Sequence, residues 1–92
     1  MIRSFADRET EQMFFTGKSR KFSGIFAVAR RKLQVLDNTP RLEDLSIPFG
    51  NRLEQLKGDR QGRHSIRIND QYRICFRWHE GDAHEVEIVD YH

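Results

Sequence analysis

Residues 63–78 read Arg63-His64-Ser65-Ile66-Arg67-Ile68-Asn69-Asp70-Gln71-Tyr72-Arg73-Ile74-Cys75-Phe76-Arg77-Trp78. Apolar and polar side chains alternate on both sides of Asn69-Asp70-Gln71, and a period of two marks a strand with one buried face. Asn and Asp favour turns because their side chains bond the nearby backbone. The stretch therefore reads as a β-hairpin. With 69–71 as its loop, Ile68 stands beside Tyr72, Ile66 beside Ile74, and His64 beside Phe76. The other face sets Arg67 opposite Arg73 and Arg63 opposite Arg77. A slip of one residue would turn the apolar set outward, so the pattern pins this register.

Toward the C-terminus, Ala83-His84-Glu85-Val86-Glu87-Ile88-Val89 alternates less cleanly, after the turn signal Glu80-Gly81-Asp82. A loop at 80–82 puts Phe76 beside Val86, Ile74 beside Ile88 and Arg77 beside Glu85. Residues 51–57 supply a fourth strand, and the second half of the chain is an antiparallel meander. Toward the N-terminus the period becomes helical. Phe22, Ile25, Phe26, Ala29, Leu33 and Leu36 recur at spacings of three and four, which makes one apolar face. This predicts a helix over 23–36 with Ser23 as its N-cap, stopped by Asp37-Asn38-Thr39-Pro40. A shorter helix is expected over 8–16, capped by Asp7 and closed by Gly17. Residues 1–5 read as a short strand through Ile2 and Phe5, and 41–51 as an irregular connection containing Pro48 and Gly50. The predicted architecture is one α+β domain over 1–92. Its N-terminal strand and two helices pack on one face of a twisted antiparallel sheet.

The chain has 92 residues, 37% hydrophobic and 33% charged, with seven Phe. That is too little for two cores and too apolar for disorder. No apolar run approaches the roughly 20 residues of a membrane helix, and Met1 to Glu9 carries no apolar h-region. The single Cys75 cannot form an internal disulfide, so a cytoplasmic chain with no membrane role is expected. Sixteen Lys and Arg against 14 Asp and Glu give a net charge of +2. The placement says more than the total. Lys18, Arg20, Lys21, Arg30, Arg31 and Lys32 fall between residues 17 and 32 with no acid among them. Such a stretch suits salt-sensitive contacts with RNA phosphates, or is simply a solvated helix face.

Like charges opposite each other on neighbouring strands are destabilising. Arg67 beside Arg73 therefore reads either as two side chains splayed into water or as two guanidiniums converging on an anion. Phosphate is the obvious anion, because the planar fork matches its oxygens. Tyr91 shares the parity of Arg73. His92 follows, with a reference pKa of about 6.5 that suits proton transfer. Asp90 precedes Tyr91, and Lys57 stands at the start of the turn 57–62. His64 and His84 fall on the core side and read as satisfied sheet histidines. Cys75 has no evident activating partner and reads as a small strand residue. No His or Cys spacing suggests a metal site, the glycines at 58 and 62 do not make a phosphate loop, and no cofactor is expected.

The segment Asn51-Arg52-Leu53-Glu54-Gln55-Leu56-Lys57-Gly58-Asp59-Arg60, with Gly62 and the strand from His64 to Phe76, resembles the HigB toxin family of the RelE/ParE superfamily. The ending Val86-Glu87-Ile88-Val89-Asp90-Tyr91-His92 and the opening Met1-Ile2-Arg3-Ser4-Phe5 share the resemblance, which covers nearly the whole chain. It implies a compact sheet with helices on one side. It also implies a toxin of a type II toxin–antitoxin system, a ribosome-dependent endoribonuclease that cuts mRNA in the A site without metal. By the same resemblance Lys57, Arg73, Asp90, Tyr91 and His92 match site positions. His92 would transfer a proton and Arg73 clamp the phosphate. Lys57 would help electrostatically or by proton transfer, Tyr91 would stack on a base, and Asp90 would orient its neighbours. Arg67 is added from the register as a backbone-phosphate contact. Glu54 stands where some members carry histidine, which leaves base and acid unassigned; Glu54 could act as a base or hold Lys57. The implied partners are the ribosome, mRNA and a HigA-type helix-turn-helix antitoxin, with operator DNA bound through the antitoxin. Two other readings share the fold: a ParE-like gyrase inhibitor, which needs no proton-transfer residues, and a catalytically silent antitoxin-binding module.

Overall fold

The first helix, α1 (Arg8–Thr16), has the predicted boundaries. Asp7 stays extended, and its Oδ1 accepts the Thr10 N–H at 2.7 Å, satisfying one donor that a helix start leaves unpaired. The helix closes at Gly17, whose φ is 77° and whose N–H bonds back to the Met13 carbonyl. A Cβ at Gly17 would lie 3.2 Å from Arg30, so conformation and space both call for glycine. The structure is a computed structural model that describes residues 1–22, 24–47, 49–58 and 62–91.

The second helix, α2 (Phe26–Asn38), starts later and runs two residues further than the sequence pattern suggests. Ile25 occupies the N-cap position without a side-chain cap bond. The expected cap, Ser23, lies outside the described residues. The helix reaches Asn38 because Pro40 restricts only the residue before it, and Thr39 is extended accordingly (φ −96°, ψ 115°). The irregular connection contains two 3-10 turns, Leu42–Ser46 and Phe49–Asn51. Buried Asn51 ties it together. Its Nδ2 donates to the carbonyls of Leu45 (3.1 Å) and Ile47 (3.4 Å), while its Oδ1 accepts the Lys32 ammonium.

The sheet holds β1 (Glu54–Gln55), β2 (Arg63–Arg67), β3 (Tyr72–His79) and β4 (Asp82–Asp90) in that order, each antiparallel to its neighbour. The β2–β3 register is the predicted one, from Arg63 opposite Arg77 to Arg67 opposite Arg73. The expected fourth strand over 51–57 shrinks to two residues. The β3–β4 register needs correction. The connection is a two-residue turn, Glu80-Gly81, with φ of 50° and 83°, the backbone that matches strand twist. Arg77 therefore faces His84, not Glu85. Between Arg77 and Cys75 the register shifts, so that Glu85 and Val86 together stand against Phe76, and Ile74 meets Ile88 as expected. The shorter turn also corrects His84. It pairs with Arg77 on the face away from the helices, 6.0 Å from the His79 ring.

Residues 1–5 do not form a full strand. They run parallel to β4 through isolated bridges, Ile2 to Ala83 and Phe5 to Val86. Four backbone hydrogen bonds join residues 1–6 to Ala83 and Val86, and so the outer edge of β4 is covered. Both helices pack on one face of the sheet, as expected. Ile66, Ile68, Ile74, Phe76, Val86 and Ile88 meet Met13 of α1 and Ala29, Leu33 and Leu36 of α2, with Phe22 and Leu45 closing the core. His64 shares this side, stacked on Phe76 with ring centroids 6.2 Å apart. It is not satisfied as expected, because its buried Nδ1 has no hydrogen-bond partner.

Candidate active site

The opposite, open face of the sheet carries Arg63, Ser65 and Arg67 on β2 and Arg73, Cys75 and Arg77 on β3, by strand alternation. Arg73 is only 8% exposed despite its charge. A buried guanidinium must have its donors satisfied. Nε donates to Ser65 Oγ at 2.8 Å, and Nη2 to the Ser65 carbonyl at 3.3 Å and to the Arg52 carbonyl. Nη1 lies 3.8 Å from Glu54 Oε1. Arg52 has a φ of 46°, a left-handed backbone rare for residues other than glycine. That conformation belongs to the residue whose carbonyl receives Arg73. The guanidinium is thus a fixed charge, oriented by backbone and by a serine.

Tyr91 covers it. The ring lies 5.9 Å from the Arg73 guanidinium carbon, and its hydroxyl lies 3.7 Å from Cys75 Sγ. The tyrosine remains 47% exposed. Its N–H donates to the Gln71 carbonyl at 2.7 Å, while Gln71 Nε2 donates to Asp90 Oδ2 at 3.1 Å. These bonds fix the chain as it leaves β4. Glu54 is exposed and pairs with Arg73 instead of holding Lys57. Lys57 is exposed beyond β1, beside an open cleft of about 420 Å³ lined by Gln55, Leu56, Lys57 and Gly58. His92, and residues 59–61 of the turn after Lys57, lie outside the described residues.

Arg73, Glu54 and Tyr91 therefore come together, with Asp90 tied to the neighbouring turn. Arg67 does not join them, contrary to the expectation of two converging guanidiniums. It turns toward the 69–71 loop and pairs with Asp70, whereas Arg73 reaches the other way, toward Ser65 and Arg52. Splaying toward separate partners relieves the like-charge juxtaposition. Among the described residues no three of His, Cys, Asp and Glu come close enough to hold a metal ion.

The basic stretch lies on the helical side. Lys18 and Arg20 line one open groove of about 300 Å³, and Lys18, Arg30 and Arg31 line an adjoining one of about 440 Å³; Phe26 borders both. Arg30 also has a structural duty. Its Nε and Nη2 donate to the carbonyls of Phe14 (3.3 Å) and Phe15 (3.4 Å), which the end of α1 leaves unpaired. Lys21 sits 5.4 Å from the centre of the Phe22 ring. The Lys32 ammonium is held below the usual lysine range by burial first, then by Arg31 and Arg67.

Sequence reasoning did not single out Ser65 or Arg52. Ser65 was legible in principle, since the register places it diagonal to Arg73 on the same face. Arg52 was not, because it contributes a carbonyl that any residue carries.

A family model described as a RelE-like toxin of the type II toxin–antitoxin system HigB matches residues 3–92. Toxin HigB-1 of Vibrio cholerae is 41% identical, the match covering 90% of each chain. Endoribonuclease HigB of Proteus vulgaris is 32% identical over the full length of both. In a YoeB–YefM complex from Staphylococcus aureus, a solved chain superposes with a TM-score of 0.58 at 18% identity, covering 100% of this chain and 98% of that one. This last likeness concerns the fold.

Proposed function

Because the chain belongs to the HigB family of RelE-like toxins of type II toxin–antitoxin systems, we infer that it is an endoribonuclease, and we propose that it cuts mRNA in the ribosomal A site. The observation that carries the reading is Arg73, a nearly buried guanidinium on the open sheet face, fixed by Ser65 and Arg52 beside the accessible ring of Tyr91.

RNA cleavage of this kind begins with attack of the upstream 2′-oxygen on phosphorus. The 2′-hydroxyl gives its proton to a base, the P–O5′ bond breaks, and an acid protonates the departing 5′-oxygen. The products are a 2′,3′-cyclic phosphate and a 5′-hydroxyl. Charge accumulates on the non-bridging oxygens, and a preorganised cation serves them without reorganising as the reaction proceeds. Arg73 is placed for that task, with Nη1 directed toward the Glu54 side of the face. Tyr91 offers a stacking platform for an unpaired base. His92, next in the chain, and Lys57 are the proton-transfer groups of this proposal, and Asp90 holds the tail through Gln71. Glu54 offsets the charge of Arg73 and is a candidate base.

Lys18, Arg20, Lys21, Arg30 and Arg31 lie on the helical side, away from Arg73. That division suits an enzyme that grips structured RNA of the ribosome with one side and presents the other to mRNA. A HigA-type helix-turn-helix antitoxin is the proposed protein partner, with operator DNA engaged through it. The proposed location is the cytoplasm; among the described residues no helix is long and apolar enough to cross a membrane.

Primer extension on mRNA from cells expressing the chain tests the reading. Discrete new 5′ ends that vanish when translation is blocked are expected. Arg73→Lys retains the charge but loses the fork, and should lower cleavage about a hundredfold or more. His92→Ala should do the same through proton transfer. Circular dichroism checks that both variants stay folded. Undiminished cleavage in both removes the site assignment. DNA damage with intact message would favour the gyrase-inhibiting reading.

A further inference from the structure

Four residues beyond Arg73 along β3, a second pair of arginines occupies the open face. Arg63 and Arg77 are cross-strand partners, an unfavourable juxtaposition on charge alone. Unlike Arg67 and Arg73, they do not part. One carboxylate joins them: Glu85 Oε2 accepts from Arg63 Nη2 at 2.7 Å and from Arg77 Nε at 3.4 Å. The two guanidiniums, Arg63 foremost, hold the Glu85 carboxyl below its usual range.

Glu85 reaches them because β4 carries its extra residue here. The φ of Glu85 is 52°, a left-handed conformation that glycine or asparagine would adopt more easily. The bulge is held from outside the hairpin. The Glu85 N–H donates to Ser4 Oγ at 2.9 Å, and the Val86 N–H to the Ser4 carbonyl at 3.1 Å. Backbone strain of this kind persists where surrounding structure over-determines it, and it collects at ligand sites. Each guanidinium has five N–H donors, and Glu85 engages one edge of each. The side chains of Arg77 and Arg63 are 44% and 27% exposed, so other donors reach solvent. Around them on this face stand His84 opposite Arg77, His79 beside it, and Glu87 opposite Cys75.

We propose that Arg63 and Arg77, positioned by Glu85, form a second phosphate-binding subsite that holds the RNA strand away from the linkage at Arg73. The proposal rests on the ribonuclease reading and adds to it where the strand runs. Arg77 lies about 13 Å along the strand from Arg73 at roughly 3.3 Å per residue, a reach that a single RNA strand covers in a few nucleotides. Guanidinium–phosphate contacts carry no base information, so the subsite sets register and not sequence preference.

Binding of fully 2′-O-methylated RNA, which lacks the nucleophile, tests this by fluorescence anisotropy on the purified chain. A decanucleotide should bind more tightly than a dinucleotide. Arg77→Gln and Arg63→Gln should each weaken the decanucleotide about tenfold, lower its salt slope by about 0.7, and leave the dinucleotide unchanged. Glu85→Gln removes a negative charge yet should also weaken the decanucleotide, because it frees both guanidiniums. Tighter binding by that variant would overturn the positioning role of Glu85. If the decanucleotide binds and Arg77→Gln and Arg63→Gln both match the parent chain, the subsite falls and the ribonuclease reading stands. If neither oligonucleotide binds, the subsite falls, and the ribonuclease reading is decided by primer extension alone.

Discussion

His64 is a titratable side chain on the core face with a buried ring nitrogen that nothing satisfies. Burial alone pushes its pKa below the reference value. The native state therefore disfavours the imidazolium, while the unfolded chain takes up a proton near pH 6.5. Stability is full above that value, falls as the pH drops from it toward the depressed native pKa, and changes no further below. Urea denaturation at pH 7.5 and 5.5 should show this loss. His64→Leu should remove the component and, by deleting the unpaired atom, should stabilise the chain at pH 7.5 by about 1 kcal/mol. An unchanged difference between the two pH values in His64→Leu would show that another group is responsible.

At the scale of elements, α1 and β4 are joined by one side chain. Thr10 is fully buried; its hydroxyl donates to Asp7 Oδ2 at 3.1 Å and accepts the Ile88 N–H at 2.9 Å. The cap of the helix and the edge of the strand thus share a residue. Residues 1–6 cover the β4 edge as far as Val86, and Thr10 takes the next donor. Thr10→Val keeps the shape but leaves the Ile88 N–H buried and unpaired, at a cost of about 2 kcal/mol. Urea denaturation gives the magnitude, and hydrogen exchange at the Ile88 amide gives the location. A variant as stable as the parent chain would mean that this donor finds water.

For the whole molecule, the N-terminal segment completes both layers. Phe5 bridges to Val86 in the sheet, and its ring packs 5.6 Å from Phe14 and 6.1 Å from Phe15 at the end of α1. Asp82 draws the same segment to the hairpin, 3.2 Å from the amino terminus and 3.0 Å from Arg3 Nε. Ser4 then holds the bulge that aims Glu85. A contact far from Arg73 in the chain in this way shapes the open face. Phe5→Ala should cost about 2 kcal/mol, less than a fully enclosed phenylalanine because the ring is half-buried. It should also loosen the Ser4–Glu85 contact, seen as faster exchange of the Glu85 amide. A loss of stability without that change would separate the aromatic cluster from the bulge.

By itself the sequence determined what short-range rules control: the cap and stop of α1, the apolar stripe of α2, and the β2–β3 register, which a period of two and a short loop enforce. It also placed Arg73 and Tyr91 on one face, since parity needs no knowledge of distance. Only the tertiary structure decided that Arg67 and Arg73 part and that Glu85, in a bulge held by Ser4, joins Arg63 to Arg77. Each depends on a partner remote in the chain or on a backbone atom without a signature: Ser4 is 81 residues from Glu85, and the Arg52 carbonyl is 21 from Arg73. Periodicity reports which way a side chain leaves the backbone; what it meets there is set by contacts that exist only once distant segments have been brought together.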